Sequence, residues 1–316
     1  MNNSIAYFIL PDFLALTRNK IIMDIMKKFP HVVRDNFEIY SFYGTFPKAI
    51  WNGGRVSVTD EKSTVKFMEK VRDFYNKKGI KVTFTFTNSL IEEKHLKDEY
   101  CNQILDVFHN GINEVLVVSP ILEDYIRDNY PKYKINKSIT FADAQNPYNT
   151  NRYHLSVIDK SYNNNFEKLK KIHEKEKIEV LCDEWCVNNC KYTKEHYTEI
   201  GAVQLGIIKN NEYYGKCRYL NRIEQYNMTY FRNKNSNYYI TSEDIIKKYI
   251  PLGFKYFKLS GREKFNIVGY ESIINYLFKP EYQNDIKTYI YESLIMDVTS
   301  YYNSNVKLIT ERCDYI

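Results

Sequence analysis

Residues 114–140 read EVLVVSPILEDYIRDNYPKYKINKSIT and contain the pattern on which the fold depends. An apolar run, Glu114 to Ser119, is followed by an amphipathic stretch, Leu122 to Asn129, and then by a second β-rich run, Ile135 to Thr140. A strand, a helix and a strand in this order indicate two parallel strands joined by a right-handed crossover.

The same alternation extends along most of the chain. The candidate strands are Ala6 to Leu10, Phe37 to Phe42, Val82 to Thr87, Glu114 to Ser119, Ile135 to Thr140, His154 to Ile158, Ile178 to Cys182 and Tyr256 to Ser260. The candidate helices are Phe13 to Phe29, Ser63 to Lys77, Glu92 to Asn110, Leu122 to Asn129, Tyr162 to Lys175, Ser242 to Tyr249, Arg262 to Tyr276 and Gln283 to Tyr302. Eight strands in such units favour an α/β fold of the (β/α)8 TIM-barrel type over an open doubly wound sheet.

One stretch does not fit the alternation. Residues 201–240 contain Gly201, Gly206 and Gly215 and only short alternating segments, which predicts an insertion of hairpins or loops between strands seven and eight. This insertion carries Cys217. We expect a single TIM-barrel-like domain over residues 1–280 and a helical extension over residues 281–316.

Composition limits the class of protein. Apolar residues make up 44% of the 316 residues, which indicates an ordered globular chain, and Lys and Arg exceed Asp and Glu by 45 to 39. The charges are interspersed, so they permit a small anionic substrate or RNA without arguing for either. The N-terminus lacks a basic segment before its short apolar run, and no run approaches the ~18 apolar residues of a membrane span. We therefore expect a soluble, cytoplasmic protein with no membrane partner.

Cysteines form the most informative local pattern. Cys182, Cys186 and Cys190 lie within nine positions at the end of predicted strand seven, and Cys217 follows in the insertion. Residues four apart share a helix face, and thiolates select zinc or iron–sulfur over magnesium or calcium. A [4Fe-4S] cluster would use all four thiolates, whereas zinc would use the same four, or three of them with His196. The alternative is a set of buried or incidental thiols, since cysteine is often buried.

Two further segments follow predicted strands, where barrels of this type place their active sites. Ser260, Gly261 and Arg262 follow strand eight and could hold a phosphate or carboxylate; a structural salt bridge at the rim is the alternative. Arg55 ends the glycine turn after strand two and could contact substrate; a plain loop is the alternative.

Candidates for acid–base chemistry are few. Asp183 and Glu184 come directly after predicted strand seven and could act as acid and base. Adjacent carboxylates point in different directions, so the two do not form a glycosidase pair. His196 is a candidate catalytic residue or a partner of the metal ligands, a zinc ligand, or an ordinary surface histidine. Neither a Ser-His-Asp triad nor a nucleophile elbow can be assembled from the spacing.

Three stretches resemble the U32 family of collagenase-like peptidases. They are Asp183 to Cys190 with its continuation Lys194 to Tyr197, Phe257 to Arg262, and Gly111 to Pro120. The resemblance implies a TIM-barrel-like domain with a four-cysteine [4Fe-4S] cluster that supports oxygen-independent hydroxylation of tRNA, rRNA or a ubiquinone precursor. The Gly-Ala-Leu-Cys stretch of the best-known U32 signature is absent here.

Transferred by position, the resemblance assigns metal ligation to Cys186, Cys190, Cys217 and Cys182. It favours an enzyme that modifies an RNA base or a small anionic molecule, with a partner subunit possible. Aromatic and basic residues interleave at Tyr213 to Tyr219 in a way that suits unpaired bases, although tyrosine is common throughout the chain. The alternative function is a barrel that binds a ligand or partner and uses the metal, zinc for example, only structurally. Peptide hydrolysis has the least support.

Overall fold

A computed structural model describes residues 4–54, 61–138, 151–183, 192–209, 238–260 and 267–296. Eight parallel strands form a closed barrel in chain order, and β8 pairs with β1 to complete it. The strands are β1 Ala6–Pro11, β2 Phe37–Gly44, β3 Lys81–Phe86, β4 Glu114–Val117, β5 Lys134–Lys137, β6 Ser156–Val157, β7 Ile178–Leu181 and β8 Tyr256–Lys258. All eight predicted strands are present, so the predicted (β/α)8 TIM-barrel-like fold is confirmed.

Helices surround the barrel. The described helices are α1 Leu16–Lys28, α2 Val65–Asn76, α3 Glu93–Leu96, α4 Glu99–Phe108, α5 Pro120–Asn129, α6 Phe166–Lys170, α7 Thr193–Gln204, a composite α8 of Ser242–Asp244, the π-helical turn Ile245–Tyr249 and Ile250–Leu252, α9 Ile267–Leu277, and α10 at residues 283–296. Short 3-10 turns lie at Pro30–Val32, Lys160–Tyr162, Lys175–Lys177 and Pro280–Tyr282. None of the helices in the described ranges is both long enough and apolar enough to cross a membrane.

The outward face of the barrel wall packs against the helices. Phe84 on β3 lies in an aromatic group in which its ring centroid is 4.9 Å from that of Phe108 on α4 and 5.5 Å from that of Phe13. All three rings are fully buried. Burial of this apolar layer supplies the main stabilisation of the fold, because folding removes its surface from water.

Side chains that accept hydrogen bonds from backbone amides cap the N-termini of several helices. Ser119 caps α5 at the end of β4, and Asp98 caps α4 by accepting a hydrogen bond from the Cys101 backbone amide at 2.7 Å. Asp98 therefore divides the predicted helix Glu92 to Asn110 into α3 and α4, because a cap residue satisfies the amides that a new helix leaves open.

The predicted insertion is only partly within the described residues. Its first residues, 201–204, complete α7 instead of beginning a hairpin, and residues 210–237, with Cys217, lie outside the described residues. The chain returns beside β7, where the Ile240 backbone amide donates to the Cys182 carbonyl at 2.9 Å. Residues 283–296 of the predicted C-terminal extension are helical.

Candidate functional site at the mouth of the barrel

Asp183 joins two strands and a helix at the end of the barrel where the strands finish, which we call the mouth. Asp183 lies two residues beyond the end of β7 and is buried. Its carboxylate accepts hydrogen bonds from the Ser260 backbone amide, after β8, and from the Ser272 hydroxyl of α9 at 2.7 Å. Asp183 therefore anchors the rim, and the Ser260 amide, a donor that the predicted anion site could have used, is directed to Asp183 instead.

A buried ion pair lies inside the barrel near the mouth. The Lys258 ammonium at the end of β8 is 2.9 Å from the Glu179 carboxylate of β7, and both side chains are almost completely buried. The same ammonium lies 4.2 Å from the centre of the Tyr43 ring, whose hydroxyl donates to the Leu259 carbonyl at 2.8 Å. Desolvating two charges costs several kcal/mol per ion, so a pair in this position is weak as a stabilising device and suits a functional role.

A second polar group occupies the barrel interior toward the opposite end. The Tyr40 hydroxyl donates to Glu114 Oε1 at 2.5 Å and lies 2.9 Å from His154 Nε2, while Asn136 donates to Glu114 Oε2 at 2.8 Å. Side chains from β2, β4 and β5 can meet in this way only inside the barrel. The Tyr40 hydroxyl uses its hydrogen for the bond to Glu114, so its oxygen can only accept a hydrogen bond from His154. A neutral His154 that completes this chain of hydrogen bonds carries its proton on Nε2.

Burial governs the protonation of this interior group. It raises the pKa of Glu114 and of Tyr40, because both charged forms would lose their hydration. Burial, together with the nearby Lys134 and Lys81 ammonium groups, lowers the pKa of His154 to about 4. The interior therefore favours neutral His154 and neutral Tyr40 near pH 7.

The chain crosses from one side of the mouth to the other between Asp183 and Gly201. Gly201 lies in α7 and packs on Asn88, which follows β3, and the Asn88 side-chain amide donates to the Gly201 carbonyl at 3.2 Å. A β-carbon at Gly201 would stand 2.4 Å from Asn88 Oδ1, so this approach requires glycine. Because β7 and β3 lie on opposite sides of the closed barrel, Asp183 and Gly201 lie on opposite sides of the mouth.

The glycine turn after β2 also lies at the mouth. A β-carbon at Gly53 would stand 2.2 Å from the Thr87 carbonyl oxygen, so only glycine allows this turn to pack against the end of β3. Asn52 stabilises the turn by accepting a hydrogen bond from the Gly54 backbone amide at 3.2 Å. Arg55, the predicted substrate contact that follows, lies outside the described residues.

Cys182, one of the four predicted metal ligands, lies next to the end of β7. Its side chain is fully buried in the hydrophobic core, and burial raises the pKa of its thiol well above the usual value. To ligate a metal, Cys182 would have to leave this packing and lose its proton, since the thiolate is the ligand form. This geometry favours a core thiol. The same holds for Cys101, which is fully buried in α4, as the sequence predicts.

The other predicted site residues divide into two groups. His196 lies on α7 with its ring centroid 5.9 Å from that of Tyr197. Outside the described residues lie the remaining candidates, Glu184, Cys186, Cys190, Cys217, Gly261 and Arg262. Within the ranges that are described, no group of three or more His, Cys, Asp and Glu side chains could hold a metal ion. The four-cysteine site and the anion site stay predictions.

The sequence carried a signal for the interior residues that the motif search missed. Lys258, Glu179 and Glu114 are charged residues within predicted strands of a barrel, where parallel strands are buried on both faces and are usually apolar. A charge in such a strand needs a partner inside the barrel or at its mouth. That criterion finds all three residues without any motif.

No protein-family model matches the chain, and no curated protein matches it either. A solved structure, "The Structure of the U32 Peptidase Mk0906", matches over 84% of this chain and 96% of that chain, with 14% identity and a TM-score of 0.48. In fold, the chain is similar to a U32 peptidase. U32 is the family that the three sequence stretches resemble, but a likeness to this U32 peptidase at such low identity sets no activity, cofactor or ligand for the chain.

Proposed function

We propose that the mouth of this barrel is the active site of an enzyme that binds a [4Fe-4S] cluster through Cys186, Cys190 and Cys217. Its reaction would be the oxygen-independent hydroxylation, or a related redox modification, of an RNA base or a small anionic molecule. The observation that carries the proposal is that Asp183 and Gly201, which flank Cys186 and Cys190 in the sequence, lie on opposite sides of the mouth.

The buried pair gives this site a chemical function that does not depend on the metal. Lys258 is a buried cation near the mouth, and its ammonium lies 2.9 Å from the Glu179 carboxylate. A substrate anion that approached Lys258 would compete with Glu179 for the ammonium and so free the carboxylate to act as a base. This arrangement supports an anionic substrate.

Metal analysis of protein purified without oxygen tests the proposal. We expect a brown protein with a broad absorption band near ~400 nm and about four irons per chain. Cys186→Ser, Cys190→Ser and Cys217→Ser should each lose most of this iron, because each would remove one thiolate ligand.

Two other cysteines provide matched controls. Cys101→Ser should retain the iron, since Cys101 is buried in α4, and Cys182→Ser should also retain it, because the Cys182 side chain is buried in the hydrophobic core. Full iron content in the three ligand variants would refute the cluster assignment. A colourless protein with one zinc would favour the alternative, a barrel that uses metal structurally and binds a ligand or partner.

A further inference from the structure

A cleft lies at the opposite end of the barrel from the mouth, beside the residues that precede β1 and β2. It has a volume of about 320 Å³ and is lined by Ser4, Arg34, Asp35, Asn36, Ile246, Ile250 and Lys279. We call it the amino-end cleft. Its volume is near the lower limit of about 300 Å³ for ligand pockets, which suits a small molecule.

The two cations of the cleft are held in fixed positions by the backbone. Val33 and Phe278 form an isolated antiparallel bridge. On either side of it, the Arg34 amide donates to the Leu277 carbonyl and the Lys279 amide donates to the Val32 carbonyl, each at 2.9 Å. Arg34 and Lys279 are therefore neighbours on a paired backbone, and little ordering of the chain would accompany ligand binding.

Arg34 has spare hydrogen-bonding capacity. It is 9% exposed, and its Nε has no hydrogen-bond partner among the residues that the structure describes. Its Nη1 donates to Glu243 at 3.1 Å. Buried polar groups are nearly always hydrogen-bonded, so the described residues leave the hydrogen bonding of this cleft-lining guanidinium incomplete.

The carboxylates that pair with the two cations are more exposed than the cations. The side chain of Glu243 is 51% exposed, and that of Asp35, 3.0 Å from the Lys279 ammonium, is 85% exposed. Ion pairs with such exposed groups contribute little, about 0–1 kcal/mol, because water and salt screen them. An incoming anion could therefore displace these carboxylates at small cost.

The remaining wall of the cleft is apolar. Ile246 is 41% exposed, and Ile250 also lines the cleft from α8. We propose that the amino-end cleft binds a small organic oxyanion with a branched apolar body, its carboxylate or phosphate held by Arg34 and Lys279 and its body placed against Ile246. This site is independent of the function proposed for the mouth.

Ligand-observed saturation-transfer NMR with isovalerate tests the site directly. We expect saturable binding of isovalerate, weaker binding of acetate, which lacks the apolar body, and no binding of isovaleramide, which lacks the charge. Titration with inorganic phosphate distinguishes the two oxyanion types, since a phosphate-selective site would release bound isovalerate. Equal binding of isovaleramide, or a signal that does not saturate, would overturn the proposal.

Charge variants locate the binding. Lys279→Gln should weaken isovalerate binding about tenfold, because it removes one charge-assisted hydrogen bond. Lys287→Gln is the matched control: the Lys287 side chain is also 29% exposed and is also ion-paired, 2.9 Å from Glu271. Glu243→Gln should strengthen binding several-fold by removing the competing carboxylate. An equal effect of the two lysine variants would place the binding elsewhere and contradict the assignment.

Discussion

The two faces of the barrel wall differ in chemistry. Outside, Phe84 and its aromatic neighbours fill the space beneath the helices, whereas inside, Lys258, Glu179, Tyr40 and Glu114 form ion pairs and hydrogen bonds. The outer layer gains free energy by leaving water, and the interior groups lose hydration that their partners only partly replace. We infer that the outer face carries the stability of the fold and that the interior is retained for function.

The largest effect should follow from damage to the outer face. Phe84→Ala would leave a cavity among packed rings and should lower the free energy of unfolding by about 4 kcal/mol, measured by urea denaturation. Phe67→Ala is the matched control, since Phe67 is a half-exposed ring on α2 and its loss should change stability by well under half as much. Equal losses would mean that the outer layer is not the source of stability.

Breaking the interior ion pair should have a smaller effect that can be reversed. Glu179→Gln leaves the Lys258 ammonium buried without its carboxylate and should cost about 3 kcal/mol of unfolding free energy. The double variant Glu179→Leu with Lys258→Met removes both charges and should regain most of that loss in the same denaturation experiment. If the double variant stayed as unstable as the single one, the pair would be a stabilising element and the contrast between the two faces would not hold.

The rim anchor should be weaker still. Asp183→Asn removes the negative charge and replaces one acceptor oxygen by an N–H donor, so both hydrogen bonds lose their charge assistance and the Ser272 hydroxyl must turn from donor to acceptor. We expect a loss of about 2 kcal/mol in thermal or urea unfolding. Ser272→Ala, which removes only the hydroxyl donor, should cost less than Asp183→Asn, and the reverse order would contradict the bridging role.

The smallest effect should come from His154 and should depend on pH. The pKa of His154 is about 4 in the folded chain, below the ordinary value of 6.5, so the unfolded chain takes up this proton first as the pH falls. Above pH 6.5 His154 is neutral in both the folded and the unfolded chain, and its full contribution to the free energy of unfolding is present. That contribution is lost as the pH falls from 6.5 toward 4, because protonation then favours the unfolded chain. Comparing urea denaturation of the natural chain and His154→Gln at several pH values should show a difference of about 1 kcal/mol that shrinks over this interval.

The raised pKa of Glu114 changes stability with pH in the direction opposite to that of His154. Its folded form holds the proton to a higher pH than the unfolded form does, so falling pH stabilises the fold through Glu114. A pH-independent difference would show that His154 is not held neutral by the interior.

The strands were predictable because apolar, β-rich runs bounded by turns are a local signal. The predicted helix Tyr162 to Lys175 was wrong as a continuous element, since only α6 and two short 3-10 turns form there. The cause is the run of asparagines that begins it: Asn163 donates to the Leu181 and Tyr238 carbonyls at 2.7 Å, Asn164 has a φ of 60°, and Asn165 caps α6. Side-chain hydrogen bonds of this kind compete with helix formation.

The interior contacts could not be predicted from spacing. Tyr40 meets Glu114 and His154 only because the barrel closes with one register, and a shift of one residue would turn each side chain to the other face of the wall. The cysteine pattern, by contrast, is a local signal in the sequence. The metal site that it predicts stays a prediction, since Cys186, Cys190 and Cys217 lie outside the described residues.

The pairing of β8 with β1 has a consequence for synthesis of the chain. Tyr7 on β1 finds its neighbour Tyr256 on β8 only after nearly all of the described sequence has left the ribosome. Until then, the free edges of β1 and of the most recent strand expose unpaired amides and carbonyls that could pair with another nascent chain. Growth at low temperature or with added chaperones should therefore raise the yield of native protein more than it would for a fold that completes its sheet from neighbouring segments.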